Sequence, residues 1–125
     1  MHTDEVEPHR VSERIIGCAF TVANTLGSGF VEKVYENALA LELRDAGLAV
    51  QQQRNTVVKH KGMTVGEYVV DLLVEGSVIV ELKAVNGLDD IHRAQCVNYL
   101  KAAGLRLCLL INFGRLRLEI KRLVL

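Results

Sequence analysis

The chain has 125 residues, half of them hydrophobic, 24% charged and one a proline; that is enough for one buried core, too little for two ordinary domains and too apolar for extended disorder. Fifteen basic and fifteen acidic residues cancel, which excludes a global positive field of the kind that draws a protein to nucleic acid or an anionic membrane. The distribution is uneven, since residues 1–82 carry twelve acids and seven bases while residues 83–125 carry three acids and eight bases, and a basic surface is expected in the C-terminal third.

The polar start "MHTDEVEPHR" lacks the apolar run of a signal peptide, and residues 1–10 are expected to be a flexible lead-in to a single domain spanning 1–125. From Ser12, the residues Ile15, Cys18 or Ala19, Val22 and Leu26 recur at helical spacing, and "LGSG" (26–29) should end that helix. A second helix is expected from Phe30 to about Ala46, with Val31, Val34, Ala38 and Leu41 on its apolar face and Gly47 as its stop. Beyond Gly47 the texture changes to β-branched residues and alternation. "LAVQQQRNTVVKHKG", "MTVGEYVVDLLVEG" and "SVIVELKAV", divided by Gly62 and Gly76, predict a meander of three strands. "LDDIHRAQCVNYLKAAG" returns to helical spacing, starting at Leu88 or Asp89, running through Ile91, Ala94, Val97 or Asn98 and Lys101, and ending at Gly104. "LRLCLLIN" is a buried strand, and "RLRLEIKRL" alternates as an edge strand with one wet face should.

The expected order is ααβββαββ, an α/β (α+β) arrangement in which a mixed sheet packs against helices. Cys18, Cys96 and Cys108 are odd in number, far apart and without a CxxC or Cys/His neighbour, so reduced core thiols are expected. No apolar run approaches the roughly 18 residues of a membrane span, and the cytoplasm is the expected compartment.

"VIVELKAV" (78–85) sets Glu81 and Lys83 in an otherwise apolar strand, where charge is costly. Asp71 and Glu81 lie five residues to either side of Gly76. A three-residue turn, Glu75-Gly76-Ser77, sets the two carboxylates opposite one another on one face of the hairpin, with Lys83 pointing the same way. A two-residue Gly76-Ser77 turn shifts the register and puts Asp71 on the other face. Facing carboxylates repel, and a hard divalent cation such as Mg²⁺ or Mn²⁺ offsets both charges where one lysine offsets one. The plainer alternative is an ion pair of Glu81 with Lys83 or a distant arginine. Elsewhere, Glu32 and Tyr35 share one face of the second helix, and His92, Gln95 and Tyr99 one face of the third. Each also has a plain explanation: the tyrosines as core aromatics, His92 as a surface residue, Glu32 and Gln95 as solvated.

The run Gly29, Glu32, Tyr35 resembles the GxxExxY signature of small bacterial and archaeal proteins assigned to the PD-(D/E)XK nuclease superfamily. The likeness continues through "VVDLLVEGSVIVELKAV", "IHRAQCVNYLKAAGLRLCLLINFG" and "IKRLVL". It implies a restriction-endonuclease-like αβββαβ core, with the first helix and last strand as additions. It further implies Asp71 as hairpin carboxylate, Glu81 and Lys83 as the ExK pair, and Glu32 and the main-chain carbonyl of Leu82 as further metal ligands. Gln95 and Tyr99 fit the QxxxY motif of the exonuclease-like branch, and Tyr35 and Tyr99 are assigned to the substrate. The proline that names the superfamily is replaced by Val70. The implied activity is Mg²⁺- or Mn²⁺-dependent phosphodiester hydrolysis, on DNA rather than RNA, with a homodimer or protein partner helping so small a chain to grip its substrate. The alternative from another class is a non-catalytic nucleic-acid- or protein-binding module that keeps the fold.

Overall fold

A computed structural model describes residues 7–125. Helix α1 spans Pro8–Leu26, α2 Glu32–Asp45 and α3 Asp90–Ala103; strands β1 to β5 span Val50–His60, Met63–Val74, Val78–Lys83, Leu107–Asn112 and Glu119–Val124. The expected order ααβββαββ is therefore observed. The flexible lead-in expected over 1–10 lies outside the described residues for 1–6 and is corrected for the rest. Pro8 opens α1 at its first turn, where a missing N–H costs nothing and the fixed φ is already helical.

The expected stripe of α1 is the buried one, with Val11, Ile15, Ala19 and Val22 inside and Cys18 half-buried. In α2 the expected face is corrected. Tyr35, Leu39, Ala40 and Leu43 are buried while Val31 and Leu41 are exposed. This helix carries apolar residues on two sides, and the side with the larger continuous surface wins, because burying a leucine contributes about 1.5–3 kcal/mol. Helix α2 ends as expected: Gly47 at φ +87 lets its N–H reach the carbonyl of Arg44 and that of Leu48 the carbonyl of Leu43. In α3, too, the expected Ile91–Ala94 side is corrected, since Ile91 is 74% exposed and Cys96, Tyr99 and Leu100 face inward. Asp89 caps α3, accepting from the N–H groups of Ile91 and His92, while the His92 ring accepts from the Asp89 N–H. His92 is thus a capping residue.

The five strands form one sheet in chain order, antiparallel except where β3 and β4 run parallel across the α3 crossover. Strand β5 is at an edge, as expected. Strands β3 and β4 are buried on both faces, so their runs of Val, Ile and Leu are nearly continuous. One face packs on α1 and α2 through Leu72, Val78, Val80, Leu82, Leu109 and Ile111. The other packs on α3 through Val70, Ile79, Cys108 and Leu110.

One polar side chain is buried at the end of β4. The amide of Asn112 accepts from the N–H groups of Val85 and Gly114, and it donates to the Val85 carbonyl and to Glu119. The Phe113 N–H donates to the Lys83 carbonyl. A side chain thereby continues the β3–β4 pairing and ties the loop after β3 to the loop after β4. Gly114 has no room for a Cβ, which would sit 2.3 Å from the Val85 backbone. Because Asn112→Ala would leave several half-buried polar groups without their partner, it should lower unfolding free energy by about 1–3 kcal/mol in a urea titration.

Candidate functional site

The turn between β2 and β3 decides the register. Val74 pairs with Val78, Leu73 with Ile79 and Leu72 with Val80, so the loop is the three-residue Glu75-Gly76-Ser77. Glu75 at φ +55 and Gly76 at φ +63 take left-handed conformations that suit a tight hairpin. Continuing the register brings Asp71 opposite Glu81. There the ladder changes character: the Asp71 N–H donates to Glu81 Oε2, and the Leu82 N–H donates to Asp71 Oδ2, each at 2.8 Å. Each carboxylate is thus bound to the backbone of the opposite strand.

A second irregularity faces the first. Strand β1 pairs with β2 at Gln52 with Leu72 and at Arg54 with Val70, but not between Gln53 and Asp71, and Gln53 stands at φ +54. For a residue other than glycine that conformation costs about 1–2 kcal/mol. On one side of this break Leu72 and Val74 belong to the α1–α2 core. On the other side Val70 and Tyr68, of the same parity, belong to the α3 core. The sheet therefore exchanges its inward and outward side chains at Asp71, and Asp71 lies at the seam.

Around the seam the structure brings together six of the expected residues, Asp71 among them. Glu81 is 4% exposed. Lys83, at the end of β3, donates from Nζ to Gln95 Oε1 of α3 at 3.5 Å. Glu32, in the first turn of α2, is exposed but close enough to Asp71 and Lys83 for both charges to act on it. Leu82 contributes its backbone, its side chain being in the α1–α2 core. Among the described residues no lysine or arginine nitrogen lies within ion-pair distance of Asp71 or Glu81. The ion-pair alternative for Glu81 is thereby set aside.

The two tyrosines are corrected. Tyr35 is 0% exposed, stacked on Phe113 with centroids 4.6 Å apart. Its hydroxyl donates to the Gly27 carbonyl and accepts from the Phe30 N–H, so it fastens the α1–α2 loop and has no surface for a substrate. Tyr99 is 6% exposed and packs edge-on against Tyr68. Burial, with Glu81 and Asp71 nearby, pushes its hydroxyl pKa up. Both are core aromatics.

Two residues at the seam escaped sequence reading. Glu36, one turn after Glu32, is buried, with Oε1 accepting from Lys33 at 3.0 Å and from Gln53 Nε2 at 2.8 Å, and Oε2 accepting from Gln52 at 2.9 Å. Gln53 Nε2 also reaches Asp71 Oδ1, at 3.5 Å. The spacing Glu32–Glu36 was a usable signal; a left-handed glutamine inside a strand leaves none.

Burial first, and the facing carboxylate of Asp71 second, push Glu81 from 4.5 up to about 9. Burial likewise raises Asp71, against the pull of the Leu82 N–H, and burial and Asp71 raise Glu32. Three carboxyl groups with raised pKa values, and no cationic side chain among the described residues paired to the central two, make the ionised pair a place that favours a bound cation. Hard oxygen donors suit Mg²⁺ or Mn²⁺. Among the described residues no three His, Cys, Asp or Glu side chains converge as a ready-made metal cluster, so a cation here would rely on the Asp71–Glu81 pair together with main-chain oxygen. On donor chemistry the residues fit a hard divalent ion.

A family model described as the PD-(D/E)XK nuclease superfamily matches residues 9–123. The chain belongs to the PD-(D/E)XK nuclease superfamily. No curated protein and no solved structure matches it. For a PD-(D/E)XK protein a mixed sheet flanked by helices is the expected fold, a metal-dependent nuclease the activity that membership suggests, and nucleic acid the substrate class it implies. No helix among the described residues is long and apolar enough to cross a membrane.

A raised Glu81 fixes the sign of a pH effect. Below about pH 4.5 folded and unfolded states both hold the proton, and that group's contribution is fully present; it is lost as pH rises toward about 9. The melting temperature without metal should therefore carry a falling component over that window. A cation must displace the proton, so added Mn²⁺ should raise the melting temperature more at about pH 8 than at about pH 6. Equal shifts at both pH values would contradict a carboxylate site.

Proposed function

We propose that the protein is a nuclease that hydrolyses phosphodiester bonds in DNA with the help of Mg²⁺ or Mn²⁺. The observation that carries this reading is the pair of facing carboxylates, Glu81 buried and Asp71 half-buried, with no cationic side chain among the described residues paired to them. A finer likeness, to the GxxExxY proteins, rests on Gly29, Glu32 and Tyr35.

Asp71, Glu81 and the Leu82 carbonyl would hold the cation, with Glu32 approaching from α2. Bound there, the ion supplies Lewis-acid activation of the phosphoryl group and lowers the pKa of a water. The chain's own residues then have separate tasks. Asp71 is held by the Leu82 N–H and Glu81 by the Asp71 N–H, so the two carboxylates keep their spacing without the ion. Lys83 emerges beside them at the open end of β3 and would orient the attacking water or offset charge developing on the phosphate. Gln95 Oε1 accepts from the Lys83 ammonium and aims it. The choice of DNA over RNA rests on the resemblance to the exonuclease-like branch, of whose QxxxY spacing Gln95 is the residue that reaches the site and Tyr99 a core aromatic.

Purified protein with Mn²⁺ should cleave a labelled DNA strand, and Asp71→Asn and Lys83→Ala should each reduce the rate by about 100-fold or more. Asp71→Asn relieves the facing charges and keeps an acceptor for Leu82, so without metal it should melt no lower than the parent. Cleavage that survives in both variants would overturn the assignment. Cleavage of RNA in preference to DNA would correct the substrate, and no calorimetric heat with Mg²⁺ or Mn²⁺ would favour a binding module.

A further inference from the structure

We infer that Gln53 is a positioning residue of this site: its side-chain amide steers the Asp71 carboxylate into the aspect that a cation needs. The inference rests on the proposed metal site and adds a residue to it.

In a regular strand Gln52 and Gln53 would point to opposite sides. Instead, both amides reach Glu36, Gln52 at Oε2 and Gln53 at Oε1. The φ of +54 at Gln53 makes this possible, at the one position of β1 that faces Asp71 without pairing to it. Glycine and asparagine tolerate the left-handed region far better than glutamine does. What glutamine adds over them is reach.

The amide's orientation follows from its neighbours. Nε2 lies between two carboxylate oxygens, Glu36 Oε1 and Asp71 Oδ1, where the amide oxygen would be repelled. At 2.8 Å the Glu36 bond is the anchor, and at 3.5 Å the Asp71 contact is the steered one. Glu36 is itself held by Lys33 and Gln52. A continuous chain of polar contacts therefore runs from α2 through Glu36 and Gln53 to Asp71. With Leu82 on Oδ2 and Gln53 on Oδ1, both oxygens of Asp71 are oriented. Partners of this kind govern metal affinity without touching the metal.

Gln52 supplies the control, because it bonds the same Glu36 but not Asp71. Gln53→Gly and Gln52→Ala are compared in the full chain by melting without metal and by Mn²⁺ calorimetry. Gln53→Gly should weaken Mn²⁺ binding by about 10–100-fold, while Gln52→Ala, which loosens Glu36 but leaves the Gln53–Asp71 contact in place, should weaken it far less. Parent-like affinity in Gln53→Gly, or equal weakening in both, would overturn the inference. If Gln53→Gly does not fold, Gln53→Asn, which tolerates the left-handed backbone but is one methylene short, carries the same comparison.

A parent protein that binds no Mn²⁺ would defeat the proposed function, and the link between Gln53 and Asp71 is then decided without metal. In a double-mutant cycle of Gln53→Gly with Asp71→Asn, the melting shifts should be non-additive by about 2 °C or more. Additive shifts would overturn it.

Discussion

Two carboxyl groups set opposite one another in the middle of a sheet, Glu81 buried and Asp71 half-buried, form the constraint on which this structure turns. Ionised together, Asp71 and Glu81 would only repel one another in a poorly hydrated place, and the raised pKa of Glu81 reflects that cost. The hairpin answers by replacing its own ladder at that point, each carboxylate accepting from the backbone of the other strand. Once those two N–H groups serve carboxylates, they are no longer free for a regular ladder, and β1 shows the matching break at Gln53. The exchange of inward and outward residues on β2 is the packing consequence: the strand serves the α1–α2 core on one side of Asp71 and the α3 core on the other.

That exchange also explains why the site gathers side chains from both layers of helices. Glu32 and Glu36 approach from α2, and Gln95 from α3, although those helices pack on different cores. The uneven charge along the chain has a local counterpart. Glu32, Asp71 and Glu81 come from the acidic first part, Lys83 opens the basic remainder, and Arg115 and Arg117 are exposed in the loop that Asn112 ties to the exit of β3.

Much of this was legible in the sequence because it depends on near neighbours along the chain. The order of elements, the three-residue turn around Gly76 and the opposition of Asp71 and Glu81 follow from alternation, turn chemistry and symmetric spacing. Lys83 and Gln95 needed the resemblance as well, since they meet through tertiary packing. The faces of α2 and α3 were not legible: Val31, Leu41 and Ile91 are as apolar as the residues that were buried, and only the neighbouring layers choose between them. Tyr35 and Tyr99 illustrate the same limit, because spacing puts a residue on a face without saying whether water reaches that face. Gln53 lay furthest from view. Its left-handed backbone goes with contacts to Asp71 and Glu36, 18 and 17 residues away, and glutamine carries no local preference for it.

The polar clamp at the end of β4 bears on which parts of the chain set each half of the site. The mutual hydrogen bonds of the carboxylate pair lie within the β2–β3 hairpin. Lys83 is different, because its carbonyl is held by Phe113 and the backbone just beyond it by the side chain of Asn112, 27 residues after Val85. Helix α3 must cross over and β4 must dock before the strand leaves in its final direction. The facing of the two carboxylates is thus written within one hairpin, whereas the direction in which Lys83 leaves its strand is written by residues that follow it at a distance in the chain.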